Sequence, residues 1–136
     1  MDTPSVIEMT AGLPGFPDAR RFVLVEWGEA GSPFSLLRSL DHADLEFLVA
    51  APVVLFPDYE PEVDDAHADA LELTRAEDAL VLVLITVTDR AEDATANLLA
   101  PIVVNLNTLR AAQVVLPLAP VEDLRRPLWL AQPALV

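Results

Sequence analysis

Carboxylates are the chemistry this chain holds in quantity. It carries 22 acidic residues against eight basic ones, and six of the acids fall in residues 58–69, DYEPEVDDAHAD. On a helix Asp65 and Asp69 would stand four residues apart and could share a cation, while His67 between them would point elsewhere. The stretch lacks the glycine-centred spacing of a calcium loop. It therefore reads first as a solvated acidic helix face, and no metal is expected. An acid pair for glycosidase-type hydrolysis is available, but among so many acids any one pair is unsurprising. The absence of cysteine removes thiol nucleophiles, disulfides and cysteine metal sites. His42 and His67 lie in polar segments, and no G-x-S-x-G is present. Four glycines do not compose a phosphate-cradling loop. No cofactor and no enzymatic activity are expected, with a small acidic hydrolase using a carboxylate pair kept as the alternative.

Binding to another protein has better material. Asp58, Tyr59, Glu60 and Glu62 follow an apolar run, where a scaffolded loop carries side chains into solvent. An aromatic anchor beside steering charge is the mix that interfaces use. Pro14 and Phe16, in the loop GLPGFPDA, could add to it. Phe16 reads equally as core or contact; Phe56, the last residue of the apolar run VVLF, reads as core.

The elements that must position these residues are mostly strands. Ser5–Met9, Arg21–Trp27, Phe34–Ser39, Glu46–Ala50, Val53–Phe56, Ala79–Thr88 and Ala111–Leu116 are β-like in alternation or β-branched content. Pro52 separates two of them, since it donates nothing to a central ladder. Asp64 to Leu73 is the one good helix: Asp64 or Asp65 can cap it, and Val63, Ala66, Ala70 and Leu73 fall at helical spacing. LRRPLWL near the C-terminus reads as an edge strand or a tail. Twelve prolines against four glycines give stiff loops, and no repeat or low-complexity linker interrupts the 136 residues. Many short strands with one short helix near residues 64–73 predict a mostly β, antiparallel, barrel-like single domain over 1–136, a two-layer α+β domain being the alternative.

Charge is uneven. Residues 41–93 hold fifteen acids and two arginines, and the whole chain is -14. Such a field repels nucleic acid and anionic membranes and attracts a basic partner. The longest apolar run, Ala79 to Val87, is too short for a membrane-crossing helix, which needs about 20 residues. The N-terminus lacks the basic and apolar regions of a signal peptide. A soluble cytoplasmic protein, binding neither nucleic acid nor membrane directly, is expected.

One uncharged stretch also holds amides. Thr95 to Asn105, TANLLAPIVVN, is uncharged and holds two asparagines and a proline among aliphatic residues. Its amides would be costly to bury unpaired. It should form an internal strand or strand pair, with Asn97 and Asn105 capping strand ends or a turn.

These pieces occur in an order that resembles a known family. GLPGF (Gly12 to Phe16), RFVLVEW, PFSLLRSLDHADLEFLVAAP, FPDYEPE and TANLLAPIVVN together look like FliW, the bacterial flagellar assembly factor. The resemblance covers about residues 5–128 and leaves 129–136 as a C-terminal tail. It implies a small, barrel-like, non-enzymatic cytoplasmic protein. It also implies two partners: the translational regulator CsrA, whose sequestration relieves repression of flagellin translation, and flagellin, bound as by a chaperone. Asp58, Tyr59 and Glu60 match the family's PDYE motif, Pro14 and Phe16 its loop, and Asn97, Pro101 and Asn105 its third motif. The alanine-rich acidic DDAHAD stretch, Arg38 and the lack of lysine depart from the family's pattern.

Overall fold

The computed structural model describes residues 5–13, 15–28, 31–117 and 119–128. Nine strands appear among them: β1 (Val6–Met9), β2 (Arg21–Glu26), β3 (Phe34–Ser39), β4 (Glu46–Ala50), β5 (Ala79–Thr86), β6 (Thr95–Ala96), β7 (Ile102–Asn105), β8 (Arg110–Gln113) and β9 (Arg126–Pro127). Two short helices, α1 (Pro52–Leu55) and α2 (Asp65–Ala70), and three 3-10 turns complete the described elements.

Seven strands close into a ring in the order β4-β3-β2-β1-β8-β7-β5, with β5 returning to β4. Every neighbouring pair is antiparallel except β1 and β8, which run parallel with Glu8 opposite Arg110. The barrel expected from strand spacing is present, with this one parallel seam, and it replaces the two-layer alternative. Side chains alternate across its wall. Ile7, Met9, Phe22, Leu37, Val49 and Leu82 point to a shared interior that draws on all seven strands. The next residues along those strands face outward into two satellite clusters. One gathers Ala50, Phe56, Val83 and Leu98; the other gathers Leu71, Val103, Val114 and Leu116. β7 is buried on both faces, since Ile102 and Val104 point in while Leu71 covers Val103 from outside. Burial on two sides explains why this strand shows no polar alternation.

The uncharged stretch becomes two strands joined by a bulge. Both β6 and β7 run antiparallel to β5, but Ile85 faces Ala96 while Leu82 faces Ile102. Three residues of β5 are thus matched by six, and the extra residues loop out at Asn97–Pro101. The loop is almost fully hydrogen-bonded. Asn97 N donates to Leu84 O at 2.9 Å and Leu98 N to Asp123 O at 2.7 Å. The Asn97 side-chain oxygen accepts from Leu99 N at 3.1 Å and from Ala100 N at 3.0 Å. The carbonyls of Leu99 and Pro101 accept from Leu116 N and Val114 N, and Ala100 O accepts from Gln113 Nε2. A bulge that pairs its backbone this completely is held in one shape. Asn105 fixes the other end: its Nδ2 donates to Leu71 O at 2.7 Å, and its Oδ1 accepts from Asn107 N at 2.8 Å.

Several elements differ from expectation. Val53–Phe56 is not a strand: Pro52 opens α1, its fixed φ suiting a helix's first turn, and Val53 and Val54 are 69% and 63% exposed. The helix over 64–73 shortens to Asp65–Ala70, capped by Asp64 through His67 N. Its docking residues are not Ala66 and Ala70, which are exposed; Leu71 is buried instead, with Val63 and Leu73 beside it. The chain leaves α2 through Glu72 at a φ of 57°, ending the helical phase on which the expected face depended. The last strong strand ends at Gln113, and Val114 and Leu116 continue as partners of the bulge. The C-terminal edge strand is β9, paired with β6; Trp129 and Leu130, and the tail 129–136, lie outside the described residues.

Candidate functional site

Phe56 is buried and its N–H bonds back to Pro52 O, closing α1. Tyr59 N then donates to Phe56 O at 2.9 Å, a turn that points Tyr59 back at the barrel wall. The Tyr59 ring packs against both outer clusters. Its hydroxyl donates to Leu98 O at 2.6 Å, in the Asn97–Pro101 bulge. Burial, and next the negative charge of Asp123, push its pKa up to about 12. Tyr59 therefore stays a protonated donor at neutral pH. It holds in place a segment whose acids, Asp58, Glu60 and Glu62, are all exposed.

Two clefts open on either side of Tyr59. The larger, about 590 Å³, has an apolar wall of Tyr59, Val63, Leu116 and Ala119 and an acidic rim of Glu60, Glu62, Asp64 and Asp65. The smaller, about 360 Å³, runs between Phe56, Asp58, Leu98 and Arg126. Asp123 lines both. It is 8% exposed and the one buried carboxylate among the described residues; its Oδ1 is ion-paired with Arg126.

The other candidates fall elsewhere. Phe16 is 39% exposed and meets Phe47 edge-on, with ring centroids 5.8 Å apart. Neither cleft beside Tyr59 is lined by it. Gly12 sets this loop: at φ 70°, a Cβ there would lie 2.6 Å from Pro17 O. Pro14 lies outside the described residues. Pro101 is buried, and Asn97 and Asn105 make the bulge and turn bonds given above. In DDAHAD, the Asp64 carboxylate caps α2 and accepts from His67, which lowers its pKa, the backbone bond being the larger cause. Resolved carboxylate shifts at Asp41, Asp64, Glu77 and Glu92 are all downward, opposite to what a general acid requires.

Sequence reasoning missed Asp123, Arg126 and Leu116. The signal was slight: Asp123 and Arg126 stand three apart just after Pro120, a spacing that pairs them across one turn.

A barrel with an apolar interior, with clefts beside Tyr59 that are lined by acids and backed by that aromatic, defines the chain as a small β-barrel protein. The chain belongs to the FliW family: the model described as FliW protein matches residues 1–128. The flagellar assembly factor FliW of Bacillus pumilus (strain SAFR-032) is 40% identical over 111 residues, covering 82% of this chain and 76% of that one. That of Bacillus licheniformis is 43% identical over 105 residues, covering 77% and 73%. That of Bacillus subtilis (strain 168) is 38% identical over 111 residues, covering 82% and 77%. A crystal structure of the flagellar assembly factor FliW matches with a TM-score of 0.77 at 33% identity, covering 88% of this chain and 84% of that one. No helix among the described residues is long and apolar enough to cross a membrane.

Proposed function

We propose that this chain is a cytoplasmic, non-enzymatic flagellar assembly factor that sequesters the translational regulator CsrA and also binds flagellin. Capture of the regulator relieves repression of flagellin translation; flagellin, bound as by a chaperone, draws on the same pool of protein. The observation that carries this reading is membership of the FliW family over nearly the whole chain, together with an exposed acidic segment, Asp58–Glu62, held by Tyr59. The charge fits the partner. A protein of net -14 is a poor ligand for RNA and a suitable one for an RNA-binding protein. Once bound, its field would repel phosphates near the complex and lower the regulator's affinity for messenger RNA. Co-purification with the host's flagellin and CsrA, separately and together, tests the proposal. Retention of each is expected at micromolar concentration, and retention of neither would overturn it.

A further inference from the structure

Asp123 is an acid among acids, yet among the described residues it alone of them is buried. Its only side-chain partner among the described residues is Arg126, three residues on and itself exposed, and that bond uses one carboxylate oxygen. No hydrogen bond reaches Oδ2 among the described residues, and Asp123 lines the larger cleft from which no described basic side chain is offered. The cleft has an apolar wall, four acids at its rim and Asp123 among its lining residues. A guanidinium is the group that such a carboxylate takes, because its planar fork meets two carboxylate oxygens and its stem lies on apolar surface. Arg126, which lines the smaller cleft, occupies only Oδ1.

We infer that the larger cleft takes an arginine from an extended segment of a protein partner, and that this arginine exchanges with Arg126 for Asp123. The stem would lie along Val63, Leu116 and the Tyr59 ring, with the rim acids steering the approach. Exchange would free Arg126, which stands in β9 opposite Ala96 and lines the smaller cleft, so filling one cleft alters the other. The partner's identity rests on the protein-binding reading above; the chemistry of the cleft does not.

The test titrates the 15N-labelled full chain with the peptide acetyl-Leu-Arg-Leu-amide and with the same peptide carrying citrulline for arginine. Saturating shifts are expected at Tyr59–Asp65 and Leu116–Asp123. Citrulline should weaken binding by about tenfold, as loss of a charge-assisted bond does. Asp123→Asn should do the same. Arg126→Gln should tighten binding several-fold, and more than Arg125→Gln, which removes equal charge from the same turn. Shifts scattered over the acidic surface would overturn the inference, as would undiminished binding by a folded Asp123→Asn chain. So would equal effects of Arg126→Gln and Arg125→Gln, the comparison that decides if Asp123→Asn does not fold. Capture of CsrA and flagellin, run on the same proteins, separates the two readings: a failed peptide with partners retained overturns the exchange alone.

Discussion

At the scale of single residues, Tyr59 is the side chain on which the outer surface turns. It is the chain's one tyrosine, so phenolate absorbance reports on it alone. Its folded pKa is raised from 10.0 to about 12, which favours the protonated form in the native state. The associated stability is present below the unfolded value and lost as pH rises through the folded one. The titration midpoint should thus sit near 12 in the native protein and fall to about 10 in denaturant. Tyr59→Phe, leaving Leu98 O without its donor, should cost about 1 kcal/mol in urea unfolding. It should also remove the alkaline loss of stability. Asp41 provides the acid counterpart. It accepts from Arg21 N at 2.8 Å and Arg20 N at 2.9 Å, and these backbone bonds, then the Arg21 side chain, lower its pKa from 3.8 to about 2. Its contribution is present above 3.8 and lost as pH falls toward 2. Across that window, urea midpoints of Asp41→Asn should fall less than those of the parent; equal slopes would refute the assignment.

Elements show how far such bonds could be foreseen. The uncharged stretch predicts an internal strand or strand pair with paired amides, and two-sided burial of β7 explains that legibility. Asn105 bonds Leu71 O through Nδ2 and orders the following turn through Oδ1, so Asn105→Ala should cost about 1–3 kcal/mol by leaving buried groups unpaired. Thermal unfolding of Asn105→Ala beside Asn107→Ala, an exposed neighbour, measures the difference. The residues at 53–56 misled, because VVLF has β-branched content but no free barrel edge to join. Val53 and Val54 project into solvent from α1, so Val53→Lys should change stability by no more than about 0.5 kcal/mol. A larger loss would mean that these valines are covered. The α2 face was misjudged through phase, since a helix ending at Ala70 hands docking to Leu71. Asp123 escaped notice for a topological reason. It packs beside the Asn97–Pro101 bulge, where Leu98 N donates to Asp123 O, and no local pattern encodes a contact between segments so far apart in sequence.

At the scale of the molecule, segregation of charge was plain in the sequence, and the barrel places part of it beside Tyr59. Association with a basic partner should then depend on salt, because exposed acids act mainly on the encounter rate. Replacing Glu60 and Glu62 by Gln should slow association with CsrA and flatten its dependence on ionic strength, in stopped-flow measurements from low to physiological salt. An unchanged rate and slope would show that these two acids do not steer. The parallel seam has a consequence in time. β1 is made first, yet its partner β8 ends at Gln113. Until that residue leaves the ribosome the sheet is open at both edges, and the strands already made have no ring to close. Closure between such distant segments is slow relative to local structure. The clefts beside Tyr59 also await Leu116 and Asp123, later still in synthesis. A nascent chain that has not yet reached Asp123 thus lacks the assembled clefts, and they become available only after that residue is made.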